Sequence, residues 1–224
     1  MQILTGTNWN KAEGGTFVGV LIMRHVKNPS SHPGLQRRKT EIEAQLRREY
    51  AGMERPELRA QPTLAAYDRF YHRFRKTYHL LLQLESVLAG KSIPTVSALV
   101  EAMFMAELED QLLTAGHDLG TVNPPICIDV ATGSETYTRM NGKQQTLKQG
   151  DLYTHDAEGI LSSVIYGPDQ RTRIRPDTRE VIFTTYAVPG IEAEDLKAHL
   201  ERLRDYVLLI SDEGEVESLE IFGG

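Results

Sequence analysis

The chain has 224 residues, one cysteine and a formal net charge of −6 at pH 7. This length suits a single domain with a hydrophobic core of its own. The lone Cys127 excludes an internal disulfide and, by count, a zinc site of two cysteines and two histidines. We therefore expect one domain over residues 1–224 in the reducing cytoplasm, with residues 1–15 as a loosely ordered lead-in.

Long apolar runs are absent from the sequence. None approaches the length of a membrane span, and the first residues lack the basic-then-apolar layout of a secretory signal. We expect no membrane partner.

Charge is spread unevenly along the chain. Residues 1–90 hold 14 Lys and Arg against 8 Asp and Glu, a balance of +6, whereas residues 91–224 hold 11 against 23, a balance of −12. Such asymmetry can create a basic face for phosphate groups on a protein that is acidic overall. Alternatively, charges of both signs interleave on solvated helix faces after folding, and the sequence leaves both possibilities open.

The first half of the chain predicts one strand followed by helices. The apolar run at residues 16–23 is typical of a buried strand. Apolar residues then recur at helical spacing over residues 35–50, and Pro62 suits the first turn of a second helix. Further helices are predicted over residues 80–89 and 95–113.

The second helix carries aromatic and basic side chains together. Its cations include Arg69, Arg73, Arg75 and Lys76, and no acidic residue lies between positions 69 and 79. Cations interleaved with aromatic rings can bind RNA phosphates and stack on bases. The alternative is an aromatic core stripe with solvated cations around it.

After residue 123 the apolar period changes to two, which is typical of strands. Residues 126–130 and 136–140 flank a Thr-Gly-Ser turn and are predicted to pair as a hairpin. The other predicted elements are a pair of strands at 151–155 and 160–166, a strand at 180–188, an acidic helix at 192–209, and a strand at 216–222 that pairs near the N-terminal strand. About five helices and seven strands in segregated groups indicate the α+β class.

One histidine directly follows a glycine at the predicted end of the fourth helix, in Gly116-His117-Asp118. A glycine that stops a helix holds the next side chain at a corner, from which an imidazole can face a cleft as general base or polar anchor. The alternative is an ordinary helix stop with a surface histidine. A single histidine without a partner at fixed spacing does not decide between them.

Other catalytic motifs are not supported. Gly14-Gly15-Thr16 lacks the lysine and spacing of a phosphate loop, and no serine lies in a nucleophile elbow. We expect no metal, nucleotide or redox cofactor.

Four motifs carry a family resemblance. They are KSIPTVS at residues 91–97 with LVE at 99–101, GHDL at 116–119, GDLYTHDAEGIL at 150–161, and RTRI at 171–174 leading to DTR at 177–179. In this order they resemble the B3/B4 domain of the phenylalanyl-tRNA synthetase β subunit in its free-standing form, over roughly residues 17–209. The resemblance implies a layered β/β/α domain with an N-terminal helical group and a partly open, barrel-like mixed sheet.

The same resemblance implies a function. The synthetase domain hydrolyses the ester between a wrongly attached amino acid and the 3′ adenosine of tRNA, and its histidine aligns with His117. A free-standing relative would act in trans on aminoacyl-tRNA in translation quality control, with tRNA and not DNA as its partner. His117 would position or deprotonate the attacking water or anchor the terminal ribose, and Asp118 would orient the ring. The substrate-binding residues implied are Ser97, Gly116, Thr184 and Arg171.

Two positions depart from the family pattern. Thr184 aligns with the glutamate that reads a tyrosine hydroxyl in the synthetase domain, so tyrosine specificity is not carried over. Ser97 stands where free-standing relatives often have an asparagine, which weakens the case for catalysis. A non-catalytic tRNA- or small-ligand-binding module therefore remains an alternative, as does a protein adaptor that uses the acidic final helix.

Overall fold

Six α-helices pack against β-sheets in the structure, a computed structural model that describes residues 1–223. The helices are Pro33–Glu49 (α1), Arg55–Arg59 (α2), Pro62–His72 (α3), His79–Leu88 (α4), Ala98–Asp110 (α5) and Ala193–Ile210 (α6). The strands are Ile3–Thr5 (β1), Phe17–Arg24 (β2), Leu113–Asp118 (β3), Ile126–Val130 (β4), Thr136–Thr138 (β5), Gln144–Thr146 (β6), Leu152–His155 (β7), Ile160–Ser163 (β8), Gly167–Pro168 (β9), Val181–Ala187 (β10) and Glu215–Gly223 (β11).

The strands form two main sheets. One is antiparallel with the order β11-β2-β10-β3, and the other has the order β1-β4-β7-β8-β9. The second sheet is mixed, since β1 runs parallel to β4. A small hairpin of β5 and β6 stands apart, and within residues 1–223 none of the sheets closes into a barrel.

The four-stranded sheet lies between the helices and the five-stranded sheet. On its helix side, Gly19 leaves room for α6, because a Cβ there would lie 2.7 Å from the Leu200 Cδ1 atom. On its other side, the Tyr186 hydroxyl bonds the hydroxyls of Thr154 and Ser162 in the five-stranded sheet, at 2.9 and 2.8 Å. The predicted α+β class and layered architecture are confirmed.

The segment after α5 differs most from prediction. The helix predicted to reach residue 113 ends at Asp110, because Gln111 adopts a left-handed backbone conformation with φ 61°. Leu113–Asp118 then forms β3, so Gly116 lies inside a strand and the predicted corner at His117 is wrong. Apolar residues at positions 112 and 113 suit the end of a helix and a buried edge strand equally well, so periodicity could not separate them.

One further expectation was wrong. Residues 126–130 and 136–140 do not pair with each other, since β4 pairs with β1 and β7 while β5 pairs with β6. The lead-in contains β1, and Asn8 N–H donates to the Asp129 carboxylate at 2.9 Å. The pairing of the last strand with the N-terminal strand β2 is confirmed. Gly224, the end of the predicted domain, lies outside the described residues.

Candidate active site at the edge of β3

An apolar cavity of about 410 Å³ lies against the edge of β3 that faces away from β10. At the far end of this edge, His117 forms an antiparallel bridge to Arg173. Val100, Met103, Phe104 and Glu107 of α5 form one wall, residues 113–116 of β3 form the back, and Ser163, Gly167, Pro168, Ile174 and Tyr186 lie opposite. Val96 and Met140, which are 62 % and 48 % exposed, stand at the mouth. A largely apolar hollow with few polar groups is typical of a small-ligand site.

Backbone N–H groups of β3 point into this region. The N–H of Thr114 donates to the Glu107 carboxylate at 2.8 Å and that of Asp118 donates to the Thr172 carbonyl at 2.7 Å, both away from β10. Alternate residues of an antiparallel edge strand direct their N–H groups to the same side. The N–H of Gly116, which lies between them, is therefore directed at the cavity that this residue lines.

Glycine is required at position 116 for a steric reason. A Cβ there would lie 2.9 Å from the Ile174 Cδ1 atom and 3.0 Å from the Phe183 ring. The strand can approach these side chains only because residue 116 has no side chain, so Gly116 belongs to the cavity as predicted, though from within a strand.

Glu107 places a buried carboxyl on the cavity wall, and the sequence motifs did not single it out. It is only 2 % exposed, and burial raises the pKa of its carboxyl to about 8. The group is therefore largely neutral at pH 7. A signal was present in the sequence, since Glu107 follows Val100 and Met103 at helical spacing on an otherwise apolar face.

His117 is fully buried and does not line the cavity. Its side chain lies on the face of β3 that meets the five-stranded sheet, where Nδ1 bonds the Thr172 hydroxyl at 2.8 Å. That hydroxyl donates in turn to the Asp169 carboxylate, so Nδ1 carries the proton and Nε2 is an acceptor. Within residues 1–223 no group bonds Nε2. Burial, with the nearby Arg171 charge, lowers the pKa of His117 to about 3.

Asp118 does not orient the His117 ring. Adjacent strand residues point to opposite faces, and the Asp118 carboxylate accepts from Gly120 N–H at 3.1 Å and the Thr178 hydroxyl at 2.8 Å. The orienting role predicted for Asp118 is thus filled by Thr172 and, behind it, Asp169.

The other predicted substrate residues lie around the cavity but not on its wall. Thr184 is buried on the same sheet face as His117, diagonal to it in the ladder, and its hydroxyl has no partner within the described part of the chain. Ser97 precedes the first residue of α5, next to Val96 at the mouth. Arg171 is held by the Thr121 carbonyl and the Asp156 carboxylate, both at 2.9 Å, and the arginine on the cavity wall is Arg173.

Three cations lie on or near the cavity. Lys76 and Arg139 lie 5.5 and 5.9 Å from the ring centre of Tyr166, which precedes the cavity residue Gly167, and Arg173 lines the cavity itself. We call these three residues the basic rim. The ion pairs formed within residues 1–223 involve neighbouring arginines such as Arg73 and Arg171 but none of the rim.

The four predicted RNA-binding cations do not lie together in the structure. Lys76 belongs to the basic rim, and Arg75 lines a groove with it. Arg73 pairs with Glu13 at 2.6 Å and stacks on the Phe70 ring at 4.4 Å, while Arg69 lies beside Gly190. The aromatic stripe of α3 is buried core, as the alternative reading had it.

A protein-family model matches the part of the chain that forms this cavity. The model for the B3/4 domain matches residues 66–209, well over half of the chain. The chain belongs to the B3/4 domain family. The resemblance seen in the four motifs is confirmed, and every residue that lines the cavity lies inside the matched region of this B3/4 domain.

Two other comparisons add less. An N-terminal fragment of the phenylalanyl-tRNA synthetase β subunit from Pyrococcus horikoshii matches with a TM-score of 0.47 and 11 % identity, over all of this chain and 56 % of that one. The B3/4 chain thus spans little more than half the length of that protein. No curated protein matches.

Two absences are defined for the described residues. No helix within residues 1–223 is long and apolar enough to cross a membrane. The same residues contain no cluster of three or more His, Cys, Asp or Glu side chains arranged to hold a metal ion.

Proposed function

We propose that this B3/4 domain hydrolyses the ester of mischarged aminoacyl-tRNA in trans. The observation that carries the proposal is the apolar cavity at the edge of β3, which combines a backbone N–H at Gly116 with Arg173 of the basic rim on its wall. The amino-acid side chain would occupy the cavity, and the phosphates of the acceptor end would contact the rim. Membership of the B3/4 family supports this assignment.

The chemistry demands little of the protein. An aminoacyl ester is already activated, so hydrolysis needs a positioned water and hydrogen-bond donors near the carbonyl oxygen. Gly116 N–H supplies one such donor. The apolar walls keep other water away from the ester, which strengthens the hydrogen bond.

His117 fits the role of polar anchor better than that of base. With a pKa of about 3 the ring stays neutral at physiological pH and takes up a proton only in strong acid. Its Nε2 can accept a hydrogen bond from a ribose hydroxyl or a water brought between the sheets. The anchoring role assigned to His117 by the family resemblance is therefore the one we retain.

A panel of mischarged tRNAs tests the proposal. We expect the wild type to release at least one amino acid well above the rate without enzyme, and the His117→Ala variant to release it at least tenfold more slowly. His25→Ala, on the polypeptide after β2, is the control for loss of a histidine and should keep wild-type activity. A wild type that deacylates no member of a panel covering all amino acids would exclude the function.

A non-catalytic tRNA-binding module is the second candidate. The observation that favours it is the position of His117, which is buried outside the cavity wall. This candidate predicts salt-sensitive binding of tRNA that survives His117→Ala, together with no deacylation by the wild type. Filter binding of uncharged and aminoacylated tRNA, run beside the deacylation panel, separates the two candidates.

A further inference from the structure

We infer that Glu107 is the catalytic general base of the hydrolysis, an assignment that rests on the deacylase function proposed above. Its carboxylate lines the cavity, and only one of its oxygens is engaged, by the N–H of Thr114. Within residues 1–223 nothing donates to the other oxygen, Oε2. No other carboxylate lines this cavity.

The spacing along β3 suits one carbonyl and one water. Thr114 N–H and Gly116 N–H point the same way and are separated by two residues, or about 7 Å of strand. Glu107 Oε1 lies 2.8 Å from Thr114 N. An ester carbonyl oxygen on Gly116 N–H would therefore leave room for a single water between the carbonyl carbon and the Glu107 carboxylate.

A hydrogen-bonded chain from the helix layer fixes this arrangement. The Thr114 hydroxyl bonds His199 Nε2 at 2.8 Å, and His199 Nδ1 bonds the Asp110 carboxylate at 3.0 Å. With the Nδ1 proton donated to the carboxylate, Nε2 of the neutral ring accepts from the Thr114 hydroxyl. The order of groups resembles that of a hydrolase triad, but the hydroxyl is also bonded to Thr185 of β10 and is fully engaged. His199 and Thr185 thus hold the side chain of Thr114, whose backbone N–H contacts the Glu107 carboxylate.

Several other ionisable groups surround Glu107, and Glu107 is the one whose pKa is shifted to near neutral pH. Tyr67, Tyr71 and Tyr78 face it from the aromatic core, and burial keeps the pKa of each phenol above its ordinary value. Tyr186 and Arg173 line the same cavity, and burial also raises the pKa of the Tyr186 phenol above its ordinary value. His79 also lines the cavity, and desolvation by burial holds the pKa of its ring below the ordinary value, so it is neutral when Glu107 ionises.

The reaction step balances without a cofactor. The Glu107 carboxylate removes a proton from the water while the water oxygen bonds the ester carbonyl carbon, and Gly116 N–H binds the resulting oxyanion. The bond between that carbon and the ribose oxygen then breaks, and the Glu107 carboxylic acid returns its proton to the ribose oxygen. The products are the free amino acid and tRNA with its terminal hydroxyl restored.

The test is the pH profile of deacylation by wild type, Glu107→Gln and the control Glu41→Gln, with the rate without enzyme subtracted. A base acts as its carboxylate, so the wild-type rate should rise with pH and level off above about 8. Glu107→Gln should lose at least a hundredfold in rate and show no such rise. Glu41, exposed on α1, should tolerate the same change without effect.

Folding and binding of Glu107→Gln are measured on the same samples. Because burial favours the neutral acid, wild type should lose stability relative to the glutamine variant as pH rises from about 5 to 8. Binding of tRNA that carries the amino acid through a non-hydrolysable amide should change less than threefold.

The outcomes separate the two claims. An active wild type with an equally active Glu107→Gln variant, or one that keeps the alkaline rise, overturns the role of Glu107 and leaves the deacylase function standing. So does a rate loss explained wholly by lost amide-linked tRNA binding. A wild type inactive across the whole panel overturns both claims.

Discussion

At the scale of single residues, the site depends on groups whose ionisation is changed by burial. Glu107 is kept neutral at pH 7 in an apolar wall, and His117 is kept neutral between the two sheets. Desolvation disfavours the charged form of either group, which raises the pKa of an acid and lowers that of a base. The two residues therefore titrate on opposite sides of neutrality in the folded protein.

Burial of His117 should make stability depend on pH. Its pKa is lowered in the folded state, so between about 6.5 and 3 the unfolded chain binds one more proton than the folded chain. The free energy of unfolding is therefore unaffected by this titration above pH 6.5. Below pH 6.5 it falls by up to about 1.4 kcal/mol per pH unit. Urea unfolding of wild type and His117→Gln from pH 7.5 to 4 measures this.

We expect His117→Gln to be less stable than wild type at pH 7.5 by about 1 kcal/mol, the loss of a buried hydrogen bond to Thr172. The difference should shrink below about pH 6.5 and reverse sign before pH 4, because only the wild type has a histidine whose pKa is lowered on folding. A constant difference across this range would show that folding leaves the pKa of His117 unchanged, contrary to its burial between the sheets.

At the scale of elements, the edge of β3 that faces away from β10 organises the site. On one side β3 pairs with β10. On the other side the N–H of Thr114 donates to Glu107, that of Gly116 is directed at the cavity, and that of Asp118 donates to the Thr172 carbonyl. Edge strands usually carry features that prevent pairing with another chain. Here α5 and the segment around Ile174 cover the edge and leave the cavity between them.

Gly116→Ala tests the close packing of this edge. The added methyl group would lie 2.9 Å from the Ile174 Cδ1 atom, so we expect a loss of about 1–3 kcal/mol in the free energy of unfolding and a marked fall in deacylation. Gly159→Ala is the matched control, because a Cβ there meets nothing within 4 Å. Equal stability and activity for both variants would contradict the geometry described for β3.

At the scale of the whole molecule, charges from the two halves of the chain neutralise each other. Arg24, Lys27, Arg38 and Lys39 from the basic half pair with acids from the acidic half, namely Glu180 and Glu217, Asp212, Glu109 and Glu101. The uneven distribution along the sequence thus becomes interleaved in space, as the alternative interpretation held. The basic rim is a local exception at the cavity mouth.

The rim predicts a salt-dependent affinity for tRNA. Removing one cation that contacts a phosphate should weaken binding several-fold and reduce the slope of log affinity against log salt by about 1. We expect this of Arg173→Gln, measured by filter binding at several salt concentrations. Arg204→Gln, which removes an arginine paired with Asp205 on α6, is the control and should leave affinity and slope unchanged. Identical slopes for both variants would exclude Arg173 as a phosphate contact.

The elements with regular apolar periods were largely predictable from the sequence. The helix that became α1, the strand that became β10 and the final helix were located to within a few residues, because each buries one face or both faces along its whole length. The motifs around His117 and Arg171 indicated the family. Short or polar strands such as β1 and β6 were missed, since three residues show no apolar period long enough to identify a strand.

The amino-acid sequence by itself determined the fold class, the family and the presence of Gly116 and His117 at one place in the chain. Only the tertiary structure decided that both lie in an edge strand, that His117 faces the second sheet, and that Glu107 is the acid in the cavity. The physical reason is that local periodicity reports which residues are buried. Which groups meet inside, and therefore which of them ionise, depends on contacts between elements far apart in the chain.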